Sequence, residues 1–320
     1  MILEPFVGSG TIALEAYMAQ RNVICSDINP YAVALTRAKL NPPRDLFTAL
    51  TRLSLALQTL DTTFPERRFV PKWVRSFFHH RTLSEADLLS QRCIRAGDFF
   101  TLACLLGILH HQRPGFLSYP SNHLVPYLLS KKYPRTKFPS MYRYRALGPR
   151  LVSKVKRAYR NFPTLDESLI HKCYNRDGLT LPLREGSIDA IITSPPYMDN
   201  LDYVRDNRLR LWFLGLEERY MKNQEHFSPD EFRTFLMRSF LYFKRVLKEG
   251  GLCVLVLGDV NRDRRHYQCA RLAKEIALKK LGLFRLHEQL KYPLPEIRRS
   301  RHYRQGTTSE TILVLQSKKQ

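Results

Sequence analysis

The sequence predicts an α/β protein, a mostly parallel sheet flanked by helices and interrupted by a large, mainly helical insertion. Three observations carry this. Residues 1–42 read as strand, glycine loop, helix, strand, helix, the order that builds a parallel sheet. Short apolar runs bounded by turn residues return at Ser187–Ile192 and Leu252–Leu257, as buried strands require. Between these portions the character changes to short helical patterns with many aromatic and basic residues. The predicted division is 1–42 with 170–320 as one domain and 43–169 as the insertion.

The elements follow in order. Met1 to Glu4 is the end of a strand, and Pro5-Phe6-Val7-Gly8-Ser9-Gly10 is a glycine turn. Thr11 is placed as an N-cap, and Ile12–Ala19 has good helix formers with apolar spacing. Val23–Asp27 is a second strand ending in an acid, and Asn29-Pro30 opens a helix that stops at Asn41-Pro42-Pro43. Glycines allow a ligand close to the backbone, and a helix N-terminus offers N–H groups. Asp27 is placed to accept hydrogen bonds from a ribose diol. The loop lacks the third glycine of the dinucleotide fingerprint and the Gly-Lys-Ser/Thr of a P-loop.

In the insertion, Thr51–Leu60, Ser84–Leu89 and Phe99–His110 are helical patterns. No acid occurs between Asp98 and Asp166, while Lys131, Lys132, Arg135, Lys137, Arg143 and Arg145 are interleaved with tyrosines such as Tyr142, Tyr144 and Tyr159. Unopposed cations among stacking groups match a nucleic-acid surface; a merely solvated face carries acids as well. The whole chain agrees: 52 Lys+Arg against 29 Asp+Glu gives +23, a field that selects polyanionic partners. Six scattered cysteines form no C-x-x-C pair, so neither a disulfide framework nor a structural metal is expected, and a cytoplasmic setting fits. No apolar run approaches the roughly 20 residues of a membrane span.

After the insertion, Ile170–Tyr174 is a strand and Asn175-Arg176-Asp177-Gly178 a turn. The strand at Ile188–Ile192 then runs into Thr193-Ser194-Pro195-Pro196-Tyr197. Two prolines end ladder donation and hold the backbone extended past the sheet. Such a tip presents a hydroxyl, carbonyls and an aromatic face to a planar partner. Tyr203–Leu216, Phe232–Leu247 and Tyr267–Leu281 are helices, and Leu283–Leu290 and Thr311–Leu315 are closing strands.

Glu4-Pro5-Phe6-Val7-Gly8-Ser9-Gly10-Thr11 resembles the cofactor loop, and Ser194-Pro195-Pro196-Tyr197 the catalytic motif, of the S-adenosylmethionine-dependent DNA amino-methyltransferases. The resemblance covers the α/β portions and implies a Rossmann-like class I methyltransferase sheet. Cofactor loop, insertion and catalytic tip stand in the order of the family's alpha group, which makes the insertion the target-recognition region.

The resemblance implies roles by position. Glu4, Pro5, Phe6, Gly8, Ser9, Gly10 and Thr11 would shape the S-adenosylmethionine pocket. Asp27 would hold the ribose hydroxyls, Ile28 would pack on adenine, and Asp177 would meet its amino group. Ser194 and the Pro195 carbonyl would accept hydrogen bonds from the target amine, Pro196 would stiffen the tip, and Tyr197 would stack on a base flipped out of duplex DNA. Arg298, Arg299 and Arg301 would contact the DNA backbone. Serine rather than aspartate at 194 leans toward cytosine N4, with adenine N6 the alternative. An RNA guanine-N2 methyltransferase and a DNA-binding remnant without turnover remain the other readings. Glu4 replaces the usual aspartate, and the chain begins almost on the cofactor loop. Either an upstream segment or a partner would complete the methionine end of the pocket, or the protein is a weakened remnant.

Overall fold

A computed structural model describes residues 1–58, 69–109, 134–163, 165–196, 207–216, 227–262, 265–293 and 306–319. The chain divides into two compact units. The first contains Met1–Thr36, Leu165–Asp202 and Glu225–Gln320, and the second Arg37–Thr164 and Tyr203–Gln224.

The first unit is built on an eight-stranded sheet. Its strands are β1 (Ile2–Glu4), β2 (Val23–Asp27), β3 (His171–Asn175), β4 (Ile188–Thr193), β5 (Leu247–Arg262), β6 (Arg265–Tyr267), β7 (Phe284–Pro293) and β8 (Gly306–Ser317). The order is β3-β2-β1-β4-β5-β8-β7, with β6 paired only to β5. The first five strands of that path are parallel, and β8 is antiparallel to both β5 and β7. The chain thus moves outward from β1 to β2 and β3, then returns to the other side of β1 as β4. That reversal opens a crevice at the carboxyl ends of β1 and β4, where open α/β sheets take their ligands. The strand order and the antiparallel β8 are those of a Rossmann-like class I methyltransferase sheet.

The short β1 holds its central place because Leu3 is fully buried and pairs in register with Ile24 of β2 and Ile191 of β4. On that face the core runs through Ile191, Cys253, Leu255, Leu313 and Leu315. It is roofed by the helix Pro229–Val246, whose Phe232, Leu236, Phe240 and Phe243 recur at helical spacing and are buried. Phe240 meets Phe284 of β7 at 5.6 Å between ring centroids. The helix predicted at Tyr267–Leu281 is Cys269–Lys274 continued by a π-helical turn, Glu275–Lys280.

Among its described residues the second unit is helical, with helices at Leu46–Gln58, His80–Ala96, Phe99–Ile108 and Leu147–Ala158. Leu147, Leu151 and Val155 form the buried stripe of the last of these. The helix read at Tyr203–Leu216 is described at Arg208–Phe213 and lies in this unit. Its Leu209, Leu211, Trp212 and Phe213 are buried. Phe213 sits edge-on to Phe78 at 6.1 Å, and its carbonyl accepts from the Ser90 hydroxyl at 2.8 Å. Apolar spacing identified a helix but could not say which unit it buries against. Among the described residues, no helix is long and apolar enough to cross a membrane.

The roofing helix starts with a capping box. The Ser228 hydroxyl accepts from Glu231 N–H at 3.3 Å, and the Glu231 carboxylate accepts from Ser228 N–H at 2.7 Å. Those bonds hold the Glu231 carboxyl below its ordinary pKa, so the cap's contribution is present at neutral pH and is lost as pH falls through that depressed value. Ser228→Ala removes the hydroxyl acceptor and keeps the backbone N–H, and should lower unfolding stability by about 1 kcal/mol in urea titrations at neutral pH. Equal midpoints at neutral pH would show that the cap contributes nothing.

Candidate functional site

Four loops leave the sheet at the carboxyl ends of β1, β2, β3 and β4. The first is the glycine turn. Its Gly10 has φ +72°, the left-handed region, and its missing Cβ is needed twice over: a methyl there would lie 2.5 Å from the Thr36 hydroxyl. Gly10, not the predicted Thr11, is the N-cap of the helix Thr11–Met18, and no side chain caps that end. Thr11 lies one residue too far along, and its hydroxyl pairs with that of Ser9 at 3.0 Å. The helix N-terminus therefore keeps backbone N–H groups available for an incoming ligand.

Asp27, at the end of β2, ties this turn down. One carboxylate oxygen accepts from Gly8 N–H at 2.9 Å and the other from Asn29 N–H at 2.8 Å. Burial pushes the carboxyl above its ordinary pKa, and the N–H groups of Asn29, Gly8 and Ile28 pull it back part of the way. Beside it Ile28 is 54% exposed, an apolar side chain left in the open next to a carboxylate.

The third loop is bound to the second. The Asn175 amide donates to the carbonyls of Asp27 and Ile28, and Arg176 N–H donates to Asp27 O at 3.0 Å. Asp177 caps a short turn over Gly178–Thr180 by accepting from Leu179 N–H at 2.9 Å. Gly178 lies so close to the Pro5 carbonyl that any Cβ would overlap it. Pro5, Gly8, Asp27, Ile28 and Asp177 are thus joined through these contacts into one corner. Glu4 is buried at the end of β1, and Phe6 packs against Phe235 of the roofing helix at 5.3 Å.

The fourth loop is the tip. Thr193 is fully buried and pairs with Leu255 of β5. Ser194 is half-buried and its hydroxyl donates to the Val256 carbonyl at 3.4 Å; Pro195 is buried and Pro196 half-buried. Because β4 and β1 are parallel neighbours, Ser194 and the Pro5–Gly10 turn leave adjacent strands in the same direction. Tyr197 lies outside the described residues, as do Lys131, Lys132, Arg298, Arg299 and Arg301.

The remaining basic residues divide by environment. Arg135 donates to the carbonyls of Arg75 and Phe78 at 2.9 and 2.6 Å and lies over the Tyr142 ring. Arg145 is half-buried, and burial together with Arg150 pulls its guanidinium below its usual pKa. Lys137 and Arg143 are exposed. Of the tyrosines named with them, Tyr144 is exposed and two differ from the predicted stacking surface. Tyr142 is buried, and Tyr159 stacks on Phe162 at 4.5 Å while donating to the Pro43 carbonyl. Tyr142 is thereby taken up by the helical core, and Tyr159 is half-buried against its neighbours.

Sequence reading missed Gly178 and Asn175. An Asp-Gly pair signals only a turn, and nothing local announces that Pro5 lies against it. Gly178→Ala should destabilise the first unit by about 1–3 kcal/mol and loosen the Pro5–Gly10 turn. Urea denaturation measures the first effect, and a variant as stable as the parent would show that the turn moves off Pro5 without cost.

Comparison with known proteins bears on both portions of the first unit. A model of the D12 class N6 adenine-specific DNA methyltransferases matches residues 1–105, and a DNA methylase model of the N6/N4 type matches residues 188–320. The type II methyltransferase M.BsoBI of Geobacillus stearothermophilus is 24% identical over 264 residues, covering 69% of this chain and 48% of the relative. The chain therefore spans about half the length of that curated relative. Among solved structures, a DNA modification methylase of Thermus thermophilus in complex with S-adenosyl-L-methionine aligns at 23% identity over 43% of this chain and 49% of its own, with a TM-score of 0.27. The rRNA methyltransferase AviRa of Streptomyces viridochromogenes aligns at 10% identity over 98% of this chain and 75% of its own, with a TM-score of 0.32. The fold rests on the strand order rather than on either likeness. The cofactor-loop portion and the catalytic-tip portion are thus each matched by a DNA methylase model, and over both the chain is similar to the S-adenosylmethionine-dependent DNA amino-methyltransferases.

Proposed function

We propose that this chain transfers a methyl group to the exocyclic amine of a base in DNA, with cytosine N4 as the acceptor, as part of a site-specific modification system. The observation that carries the reading is the departure of the Ser194-Pro195-Pro196 tip and the Asp27-anchored glycine turn from neighbouring strands at one end of the sheet. S-adenosylmethionine, when bound, supplies an electrophilic methyl group on a sulfonium. The residues present fit that cofactor. Asp27 offers a carboxylate to ribose hydroxyls, exposed Ile28 offers an apolar face to adenine, and the uncapped helix at Gly10 offers N–H groups. Gly8 leaves open space above the turn, where an added Cβ would meet nothing within 4 Å.

At the tip, the Ser194 hydroxyl donates to Val256 O, and a hydroxyl that donates also accepts. Ser194 and the Pro195 carbonyl accept from the N–H groups of the target amine, which favours a pyramidal nitrogen with its lone pair released from the ring. The work of these residues is orientation and electrostatics, without a covalent enzyme intermediate. An amine of a paired base is out of reach inside the duplex, so the base leaves the stack, with Tyr197 as the stacking partner. The helical unit, with the basic residues between Lys131 and Arg145, serves as the target-recognition region.

Serine at the first tip position supports cytosine. Adenine N6 is the second reading, favoured by the D12-class match to residues 1–105, which ends before the tip. Mass spectrometry of nucleosides from DNA treated with protein and S-adenosylmethionine decides between them. N4-methylcytosine is the expected product, N6-methyladenine would replace the base assignment, and transfer to tRNA alone would overturn the reading. Ser194→Ala should lower turnover at least about a hundredfold while leaving cofactor affinity nearly unchanged; full activity would remove Ser194 from the tip's chemistry. Asp27→Ala should act mainly on cofactor affinity. In the parent protein that affinity should fall on acidification at a higher pH than an ordinary aspartate implies, because the raised pKa of Asp27 protonates the acceptor early. Calorimetric titration across pH follows this directly, and a flat profile would free Asp27 of the ribose role.

A further inference from the structure

We propose that, in the helical unit, the stretch Arg75–Arg81 and the stretch Lys137–Arg143 form one surface that binds the phosphodiester backbone of nucleic acid. The proposal deepens the function above and rests on it for the choice of nucleic acid as the source of phosphate.

The two stretches lie about sixty positions apart and are fastened together by Arg135, which donates to the Arg75 and Phe78 carbonyls. A second fastening is aromatic. The Arg81 guanidinium lies over the Tyr144 ring at 4.6 Å from its centroid, and the His79 ring meets Tyr144 at 5.8 Å. The Thr82 hydroxyl, bonded to both the N–H and the carbonyl of Arg145, completes the seam. Arg75, His80, Arg81, Lys137 and Arg143 are all exposed along it.

Among the described residues the four cations of this set, Arg75, Arg81, Lys137 and Arg143, form no ion pair. The acid at this seam is Glu85, and its two oxygens are engaged by the Tyr144 hydroxyl at 2.7 Å and by Leu147 N–H at 3.4 Å. Like charges held close on one surface repel in the free protein, and bound polyanion relieves that repulsion and releases counterions. A guanidinium held flat on a ring presents its N–H edge in a set direction, which suits phosphate oxygens. An anionic membrane would need no such orientation, and surface helices that bind lipid pair their cations with an apolar face. Here the cations sit on turns, at the end of the short helix Lys72–Arg75 and at the start of the helix His80–Ala96.

The test uses the full chain and labelled duplex DNA, with binding followed by anisotropy across a salt series without cofactor. The Arg81→Gln, Lys137→Gln, Arg143→Gln variant should bind at least about tenfold more weakly and show a log–log salt slope shallower by about two to three. Lys279→Gln with Lys280→Gln, two exposed residues of the other unit, is the charge-loss control and should change little. Since Arg81 packs on Tyr144, the Lys137→Gln, Arg143→Gln variant serves should the triple variant fail to fold, with a slope change of about two. Parental affinity and slope in the folded variants, or an equal loss in the control, would overturn the proposal. So would variants that lose binding to phosphatidylserine vesicles while keeping binding to DNA. If the parent transfers no methyl group to DNA yet the slope responds as expected, the proposed function fails and this surface stands. Normal transfer with an unresponsive slope would remove the surface and leave the proposed function standing.

Discussion

The Asp27 carboxylate holds the first unit's working corner in place. Its two oxygens receive N–H groups from Gly8 on one side and Asn29 on the other, so one side chain sets the glycine turn against the end of β2. The arrangement is electrostatically strained toward protonation by burial and held near ionisation by those same N–H groups. A carboxylate placed this way has a double use. It orders the loop in the absence of ligand, and it keeps acceptor capacity, since two oxygens have more lone pairs than the two bonds consume.

From that corner the contacts spread outward along the sheet. Asn175 and Arg176 bind the end of β3 to the carbonyls of β2, and Gly178 brings the Asp177 turn against Pro5. On the opposite side, parallel pairing with β4 sets the Ser194 tip beside the glycine turn. Stiffness at the tip comes from the prolines and from Ser194 bonding to β5. The site is thus assembled from strand ends, where backbone pairing leaves little freedom, rather than from long loops.

The helical unit solves a different problem. It carries an acid-free, strongly basic stretch, and its stability comes from buried stripes such as Leu147, Leu151 and Val155 and from aromatic packing around Phe78 and Phe213. Cations near that core satisfy carbonyls, as Arg135 does; others, such as Lys137 and Arg143, are exposed. One composition therefore supplies both arginines that serve the core and arginines left at the surface, and position alone separates them.

The strands, the glycine turn, the tip and the basic insertion were legible in the chain itself, because period, turn chemistry and charge are local properties. So was Asp27 as a residue of interest, since an acid closing the second strand of such a unit has few other uses. Four things required the tertiary structure. The N-cap position falls on Gly10, one residue before Thr11, and it must be glycine because Thr36, on another helix, occupies the space a Cβ would take. Gly178 must be glycine because Pro5, far away in sequence, lies against it. The helix at Arg208–Phe213 leaves the sheet-bearing unit because its apolar face fits Phe78. Of the tyrosines that looked like stacking groups, Tyr142 is buried and Tyr159 is half-buried against Phe162. In each case the deciding contact joins residues distant along the chain. Local sequence determines which elements form and which chemistry they carry; only packing decides what each side chain faces.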